Sequence, residues 1–405
     1  MLIVRNARVA TMTGAQAATG HAPLGLIEDG AVAWEGEKIV YVGPSAGAPR
    51  ADDVIDARGR LVTPGFVDPH THLIFAGDRA GEHAQRLAGA TYLEIAARGG
   101  GIRSTVEATR AASDEALLES ARQRRARMLR SGVTTVEVKT GYGLSVADEL
   151  RLLGIALSLD GVVPTLLGLH AVPAGMDRAR WVAQVVDELT PEAARLGARG
   201  CDAFLEQGAF TAAECRAALE AGARAGLVPH LHADQLTPGG GAQLAADVGC
   251  ASADHLEQTS PEGIAALARA GTTAVLLPLA AFFLRQQAAQ AGPFLQAGVP
   301  VALGSNLNPG SQRIESVSML LAAGCLLSGL TPAQALWACT AGGARALRLD
   351  DRGVLSIGNR ADLVIFSTSD PDHLPYHAGV EHAEVVVSGG VVRGALGTLV
   401  GDTRD

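Results

Sequence analysis

Hydrophobic and polar positions follow one pattern at the two ends of the chain and another in its middle. Residues 1–62 contain short alternating apolar segments broken by glycines, as in Lys38–Val42, and similar segments return at 361–366 and 384–390. Such segments predict short strands joined by turns. Because they occupy both ends of the chain, we expect one small β-sandwich domain built from residues 1–62 and 346–405.

Residues 63–345 instead alternate short apolar runs with longer segments rich in alanine and arginine, which is typical of β-α units in a parallel sheet. Eight strands are predicted, at 65–70, 133–139, 162–169, 201–206, 227–232, 251–255, 272–277 and 299–305. Helices are predicted between them at 114–130, 146–158, 178–196, 211–225 and 261–270. Four of these helices follow suitable N-cap residues, Ser113, Ser145, Thr211 and Ser260. Eight units in about 280 residues predict an α/β fold, a (β/α)₈ TIM-type barrel.

A barrel of this type carries its active site at the C-terminal ends of its strands. The predicted ends bring polar residues to one rim: His70, His72, Tyr142, His170, Glu206, His232, His255 and Asn306. A single histidine is usually a core or surface residue, but five at strand ends favour a shared site. Side chains alternate along a strand, so His70 and His72 face the same side. Neutral imidazoles suit zinc and similar divalent metals, which indicates half of a metal site.

Other residues near this rim have two interpretations each. His230 would face the same side as His232, so it is a rival ligand that we rank lower. Glu206 either braces the barrel mouth or contacts a substrate. For Lys139 we favour a structural ion pair over a carbamylated lysine that bridges two metals. Four further histidines fall in loops or tails and are predicted at the surface: His83, His373, His377 and His382.

Composition excludes several classes of function. The 405 residues carry a net charge of −9 and no cluster of basic residues suited to nucleic acid or an anionic membrane. No apolar run reaches the roughly 18 residues of a membrane span, and early charged residues argue against a signal peptide. The five cysteines lack CxxC spacing and are odd in number. Neither a disulfide framework nor a zinc ribbon is predicted, and a cytoplasmic location is expected.

Longer motifs resemble the imidazolonepropionases, a family of the amidohydrolase superfamily that opens the imidazolone ring in histidine degradation. The matching stretches are Gly65–Asp68 with His70–Leu73, Gln85–Tyr92, Gly99–Ile102 with Ser104–Val106, Gly132–Lys139 with Gly141–Leu144, His170–Pro173, His232–Leu236, Ser252–Glu257 and Asn308–Ser311. These stretches extend over nearly the whole chain, and in combination they are specific for this family. The His-x-His pair alone would indicate only the superfamily.

The resemblance implies a metal site and a reaction. His70, His72 and His232 would hold one zinc or iron ion per subunit, with Asn306 at the remaining ligand position. A bound metal acidifies its water and polarises a carbonyl group. Hydroxide would then add to the lactam carbon of 4-imidazolone-5-propanoate, and the ring would open to N-formimidoyl-L-glutamate. The resemblance also suggests a homodimer.

The same resemblance implies substrate contacts. These are Arg79, Tyr92 and Tyr142 at the propionate carboxylate, His170 and Gln235 at the imidazolone ring, and Asn308, Gly310 and Ser311 along the pocket. Catalytic roles fall to Gln235, Asn306 and His255. The His255 imidazole would hydrogen-bond the metal-bound water or the developing oxyanion.

The chain departs from the family's pattern at position 306, where the usual aspartate is an asparagine. Asparagine is nearly isosteric and its oxygen can approach a metal, but it accepts no proton at neutral pH. Because a general base typically contributes about 10² to 10⁴ in rate, we expect an intact pocket with impaired turnover. Two alternatives stay open, a deaminase-like amidohydrolase and a catalytically silent metal- and ligand-binding homologue. Gln235 weakens the deaminase alternative, since such enzymes need a carboxylic acid there.

Overall fold

The computed structural model describes residues 1–90, Glu94 and 99–395, and its strands form two eight-stranded sheets. The strands are β1 (Leu2–Ala10), β2 (Leu26–Glu35), β3 (Lys38–Pro44), β4 (Asp53–Asp56), β5 (Leu61–Pro64), β6 (Phe66–Asp68), β7 (Val133–Lys139), β8 (Val162–Leu169), β9 (Gly200–Leu205), β10 (Val228–Ala233), β11 (Ser252–His255), β12 (Thr273–Leu276), β13 (Val301–Leu303), β14 (Leu363–Phe366), β15 (Ala383–Ser388) and β16 (Val391–Ala395).

The first sheet combines both ends of the chain. Its strand order is β16-β15-β14-β5-β1-β2-β3, with β4 beside β1. The alternating apolar residues of these strands enclose a separate core that includes Val4, Trp34, Ile365 and Val385. The predicted β unit from both chain ends is thus confirmed, as one hydrogen-bonded sheet. The domain limits after residues 62 and 345 stay a prediction.

The second sheet is the barrel. Its order runs from β6 to β13 in chain order, and all neighbouring strands are parallel. Just beyond the first and last strands, Thr71 pairs in parallel with Leu307, and the Asn306 N–H donates to the His70 carbonyl at 2.9 Å. These bonds nearly close the sheet on itself, so the predicted (β/α)₈ TIM-type barrel is confirmed.

Helices cover the outside of the barrel. The α-helices within the described residues are α1 (Ala80–Leu87), α2 (Ile102–Ala111), α3 (Asp114–Arg130), α4 (Val146–Leu157), α5 (Arg178–Gln184), α6 (Thr190–Leu196), α7 (Ala212–Arg224), α8 (Gly241–Val248), α9 (Pro261–Ala270), α10 (Pro278–Leu284), α11 (Ala291–Gln296), α12 (Val317–Leu326), α13 (Pro332–Trp337), α14 (Gly343–Ala346) and α15 (His373–Tyr376). A π-helical turn, Val185–Leu189, joins α5 to α6, and another, Ala338–Gly342, joins α13 to α14. None of the helices described is long and apolar enough to cross a bilayer.

The predicted helix starts are confirmed at atomic detail. The Ser113 hydroxyl accepts a hydrogen bond from the Ala116 N–H at 3.2 Å, and Ser260 caps α9 in the same way. Ser145 caps α4, and Thr211 forms a reciprocal capping box with Glu214. Each cap satisfies a backbone N–H that the first turn of a helix leaves without a partner.

One surface prediction is wrong. His377 is exposed, and His83 and His373 are half-buried, but His382 is 5% exposed. Its Nε2 lies 3.0 Å from the His377 carbonyl oxygen, and its Nδ1 lies 3.3 Å from the Ser367 hydroxyl. The histidine immediately precedes β15, and packing of that strand into the sheet encloses it.

Candidate active site

Three histidines meet at the C-terminal rim of the barrel. His70 and His72 follow β6, and β10 carries His232. One ring nitrogen from each lies within 4.8 Å of the other two, and all three side chains are buried. Nε2 of His70, Nδ1 of His72 and Nε2 of His232 have no hydrogen-bond partner within the described part of the chain. Buried polar atoms without partners are rare, and three buried histidines that each bring a ring nitrogen within 4.8 Å of the other two fit a divalent metal site.

Carboxylates behind the rim orient two of these rings. Nδ1 of His70 lies 2.6 Å from Asp254 Oδ2, and Nδ1 of His232 lies 3.0 Å from Asp202 Oδ2. Both contacts leave Nε2 with its lone pair, as in a metal-binding histidine. Burial lowers the pKa of His70 well below its ordinary value, which favours the neutral ring that a metal requires.

A buried lysine joins these two carboxylates. The Lys139 Nζ atom is 2.8 Å from Glu137 Oε1, 2.7 Å from Asp202 Oδ2 and 3.5 Å from Asp254 Oδ2. The expected ion pair is therefore present, with more partners than one. Burial raises the pKa of Glu137 to about 8. The pKa of Asp202 is lowered although burial opposes this, because His232 and Lys139 lie against it.

Sequence reasoning missed the three acidic partners of Lys139. Glu137 lies two positions before Lys139 on β7, a spacing that puts both side chains on one face of the strand. The contacts with Asp202 and Asp254 join β7 to β9 and β11, and no spacing along the chain encodes them. A second signal was available in the sequence. Asp202 interrupts an apolar strand, Cys201–Leu205, and a carboxylate placed there is almost always paired.

Asn306 occupies the rim beside the first histidine. It follows β13, is 3% exposed and has a φ of 53°, a left-handed conformation that asparagine tolerates better than most residues. Its Oδ1 accepts a hydrogen bond from Asn308 Nδ2 at 3.1 Å. The sequence-predicted fourth position thus lies next to His70, where its backbone N–H is bonded.

His255 closes the other side of the rim. Its ring centroid lies 5.6 Å from that of His70 and 5.5 Å from that of His232. Its Nδ1 is 3.5 Å from Glu257 Oε1. Both His255 and the following Leu256 have positive φ angles, 80° and 69°. Strained backbone of this kind is concentrated at functional sites.

A second group of rings stands beside His72. The His170 ring stacks on the His72 ring with centroids 5.3 Å apart. The centroid of the Tyr142 ring lies 5.4 Å from that of His170. Nδ1 of His170 lies 2.9 Å from the Gly141 carbonyl oxygen. Because a carbonyl oxygen only accepts, this contact favours the neutral tautomer in which Nδ1 carries the proton and donates it. Burial lowers the pKa of His170 to about 4, so its Nε2 is an acceptor at neutral pH.

The turn that carries Tyr142 is fixed from below by Glu149. This buried carboxylate accepts hydrogen bonds from the N–H groups of Gly141 at 2.7 Å, Gly143 at 2.8 Å and Leu144 at 2.7 Å. Burial raises the pKa of Glu149. The phenol of Tyr142 is therefore presented by a rigid turn.

Arg79 lies at the start of α1, and its guanidinium packs against Gly310. Its Nε donates to Glu82 Oε2 at 2.8 Å. The loop opposite is shaped by Asn308, whose Oδ1 accepts from the N–H groups of Gly310 and Ser311 at 2.8 Å each. A cavity of about 280 Å³ opens between the two segments. Burial raises the pKa of Tyr142, and the charge of Arg79 opposes that shift.

The remaining candidates have distinct positions. Glu206 accepts from the N–H groups of Leu236 and Thr237, at 2.8 and 3.3 Å, which braces the loop carrying the half-buried Gln235. The rival ligand His230 is not in the three-histidine group, and its Nδ1 lies 3.0 Å from the Ser252 hydroxyl. The predicted substrate contact at Tyr92 lies outside the described residues.

A family model and individual relatives show the same similarity of this chain to known proteins. The model of the Amidohydrolase family matches residues 61–396. The imidazolonepropionase of Anaeromyxobacter sp. (strain K) is 50% identical, covering 100% of this chain and 98% of that protein. The imidazolonepropionase of Geobacillus kaustophilus (strain HTA426) is 47% identical, covering 96% of this chain and 97% of that protein.

Among solved structures, the fold is similar to deaminases. A 5-methylcytosine deaminase from Klebsiella pneumoniae, liganded with phosphonocytosine, superposes with a TM-score of 0.76 at 18% identity, covering 98% of both chains. An adenosine deaminase from Xanthomonas campestris with bound zinc gives a TM-score of 0.74 at 19% identity, covering 97% of this chain and 93% of that one. At such identities the likeness concerns the fold alone.

Proposed function

The chain belongs to the amidohydrolase family and, within it, to the imidazolonepropionases, and we propose that its barrel hydrolyses 4-imidazolone-5-propanoate to N-formimidoyl-L-glutamate. The observation that carries this proposal is the group of three buried histidines at the rim of the barrel. The chain that forms this barrel is 50% identical in sequence to an imidazolonepropionase. Water oxygen bonds to the lactam carbon, the bond from that carbon to the ring nitrogen breaks, and the nitrogen takes a proton.

We assign one zinc or iron ion per subunit to His70, His72 and His232, with the Asn306 oxygen as a further ligand. The buried charges support a cation. Because the raised pKa of Glu137, about 8, keeps it mainly protonated at neutral pH, Asp202 and Asp254 leave a formal surplus of one negative charge over Lys139, which favours a cation held by the histidines. When bound, the ion supplies Lewis acidity, which lowers the pKa of water towards about 7 and polarises the lactam carbonyl.

The substrate's propionate is assigned to the cavity between α1 and the loop after β13. Arg79 lines this cavity and offers a forked cation that suits a carboxylate, and the family resemblance adds the phenols of Tyr142 and Tyr92 as further contacts. Asn308 acts on this pocket through its bonds to the Gly310 and Ser311 N–H groups. These bonds fix the wall against which the carboxylate lies.

The imidazolone ring is assigned to the rings beside His72. Neutral His170 has Nε2 free to accept a hydrogen bond from a ring N–H of the substrate, because its Nδ1 is bound to the Gly141 carbonyl. The Gln235 amide can donate and accept, which suits the alternating polar atoms of an imidazolone. It cannot deliver a proton to a leaving ammonia, as a deaminase requires.

We propose that proton transfer is the slow step of the reaction in this chain. Asn306 stands where the family resemblance expects a proton-accepting aspartate, and its amide accepts none. His255 is the nearby group that can accept a proton, and Glu257 lies against its Nδ1. We therefore propose that the pocket binds substrate normally and that turnover is impaired.

We further propose a cytoplasmic homodimer. All five cysteines are free in the structure, which suits a reducing compartment. The dimer rests on the family resemblance. Light scattering coupled to size-exclusion chromatography measures the mass directly, and a single 41.4 kDa species would contradict it.

The proposed activity is tested with purified protein loaded with zinc or ferrous iron. The loss of imidazolone propionate and the formation of N-formimidoylglutamate are followed by mass spectrometry, and free ammonia is measured separately. We expect slow ring opening without ammonia. Ammonia release from a nucleobase would support the deaminase alternative. Tight substrate binding without turnover, even in Asn306→Asp, would support a silent homologue.

A further inference from the structure

We propose that Lys139 is a positioning residue for the metal centre, holding Asp202 and Asp254 and through them the rings of His232 and His70. This inference rests on the metal site of the proposed function. It concerns a residue that contacts neither the substrate nor the metal ligands themselves. Its effect passes through two carboxylates to two of the three histidines.

The geometry forms two short branches from one ammonium group. In one, Lys139 Nζ lies 2.7 Å from Asp202 Oδ2, and the same oxygen lies 3.0 Å from His232 Nδ1. In the other, Nζ lies 3.5 Å from Asp254 Oδ2, which is 2.6 Å from His70 Nδ1. Each carboxylate oxygen is thus shared between the ammonium and one histidine. The other oxygen of each carboxylate is held by a separate bond, Asp254 Oδ1 by the Ser252 hydroxyl and Asp202 Oδ1 by the His232 N–H, so Lys139 fixes the oxygens that face the imidazoles.

Burial strengthens the electrostatic interactions among Lys139, Asp202 and Asp254. The side chains of Lys139, Asp202 and Asp254 are each 0% exposed. In such surroundings two carboxylates repel strongly unless a cation stands between them, and no solvent screens them. Without the ammonium, Asp202 and Asp254 would separate or reorient, and the two rings would lose their alignment.

The choice of side chain supports the same role. The chain has 33 lysine and arginine residues, and Lys38 and Lys139 are the only lysines. A lysine ammonium is compact and has three donors, whereas a guanidinium is planar and matches carboxylates through a fixed fork. Carboxylates from β7, β9 and β11 surround this position inside the barrel, and the ammonium lies within 3.5 Å of an oxygen of each.

The barrel offers a matched control in Arg125, another buried cation. Its guanidinium donates to the backbone carbonyls of Val133 and Thr134, at 2.8 Å each, and to that of Asp160 at 3.0 Å. Among the described residues, it has no hydrogen bond or ion pair with Asp202 or Asp254. Replacing Arg125 therefore shows how much a loss of barrel stability alone changes the affinity for zinc.

The experiment measures the affinity for zinc alone by competition with a chromophoric chelator. It compares the wild type with Lys139→Met, Asp254→Asn, the double variant and Arg125→Met, and it records the melting temperature of each metal-free protein. We expect Lys139→Met and Asp254→Asn each to weaken zinc binding by about 10- to 100-fold, as outer-shell changes typically do. The double variant should lose less than the product of the two single effects. Arg125→Met should lower the melting temperature and leave zinc affinity within about threefold.

Unchanged zinc affinity in Lys139→Met with a lowered melting temperature would overturn the proposal. If Lys139→Met does not fold, Asp202→Asn and Asp254→Asn decide, and full zinc affinity in both would overturn it. The assay uses no substrate, so its outcome is separate from the proposed activity. A wild type that binds zinc but does not open the ring would refute the proposed function and leave this inference standing.

Discussion

The guanidinium of Arg79 lies directly against the Cα atom of Gly310. A Cβ atom added to Gly310 would stand 2.8 Å from the Arg79 Cζ and closer still to its Nη1. The loop cannot easily yield, because Asn308 accepts hydrogen bonds from the N–H groups of Gly310 and Ser311. A side chain at position 310 therefore displaces the arginine.

We predict that Gly310→Ala weakens recognition of the propionate. Loss of a hydrogen bond to a charged group costs about 1.5 to 3 kcal/mol, so KM should rise roughly 10- to 100-fold with a smaller change in kcat. Steady-state kinetics in an Asn306→Asp background measure both. An imidazolone without the propionate serves as the control, since the variant should not affect its hydrolysis. An unchanged KM for the full substrate would place the carboxylate elsewhere.

The two histidines of β10 allow a paired test of the metal ligands. His232 belongs to the three-histidine group, whereas His230 is bonded to Ser252. We predict that His232→Gln lowers zinc affinity by more than the about 10- to 100-fold typical of an outer-shell change. His230→Gln should keep zinc affinity within a few-fold and lower the stability by about 1 to 3 kcal/mol, because it leaves buried groups unpaired. Zinc titration and urea unfolding measure these quantities. The reverse order of affinities would make His230 the ligand.

A pH-dependent contribution to stability is predicted for Glu149. Burial raises its folded-state pKa above the ordinary value of 4.5. The folded chain holds this proton more tightly than the unfolded chain does. The stabilising contribution is therefore complete below pH 4.5 and is lost as the pH rises through the raised pKa.

The test is Glu149→Gln, compared with the wild type by urea unfolding of metal-free protein from pH 4.5 upwards. The glutamine has one acceptor oxygen for the N–H groups of Gly141, Gly143 and Leu144, so we expect a loss of about 1 to 3 kcal/mol. It also has no titrating proton, so this part of the decline with pH should vanish. Parallel pH curves for the two proteins would show that Glu149 does not titrate in this range.

The fold was predictable because its signals are local. Ser260 followed by Pro261 marks the start of a helix by cap chemistry, and the structure begins α9 at Pro261. The histidines at strand ends were found for a similar reason, since a parallel barrel brings all carboxyl ends to one rim. Neither inference needed to know which strands are neighbours.

The interior of the site was not predictable in the same way. Contacts of Lys139 with Asp202 and Asp254 join residues more than 60 positions apart, and many pairings of buried charges agree with the sequence. The left-handed backbone at His255 and Leu256 has little sequence signal either, because histidine adopts positive φ only somewhat more often than most residues and leucine does not. Such strain is imposed by the surrounding barrel.

Restoring an aspartate at position 306 gives the strongest prediction about turnover. The Asn306 N–H is bonded to the His70 carbonyl, and its Oδ1 accepts from Asn308 Nδ2. An aspartate keeps both bonds, so Asn306→Asp should not disturb the loop. It adds a proton acceptor and a negative charge beside the histidines, and we expect kcat to rise by about 10² to 10⁴.

The same substitution should tighten zinc binding, because a carboxylate is a stronger metal ligand than an amide oxygen. Single-turnover kinetics, chelator competition and a pH–rate profile test the two effects separately, and the variant should gain an acidic limb that the wild type lacks. Asn306→Ser is the control, since it fits the same space without a carboxylate and should gain neither rate nor affinity. If Asn306→Asp binds zinc more tightly but is no faster, position 306 is a ligand only, and proton transfer belongs to His255 with Glu257.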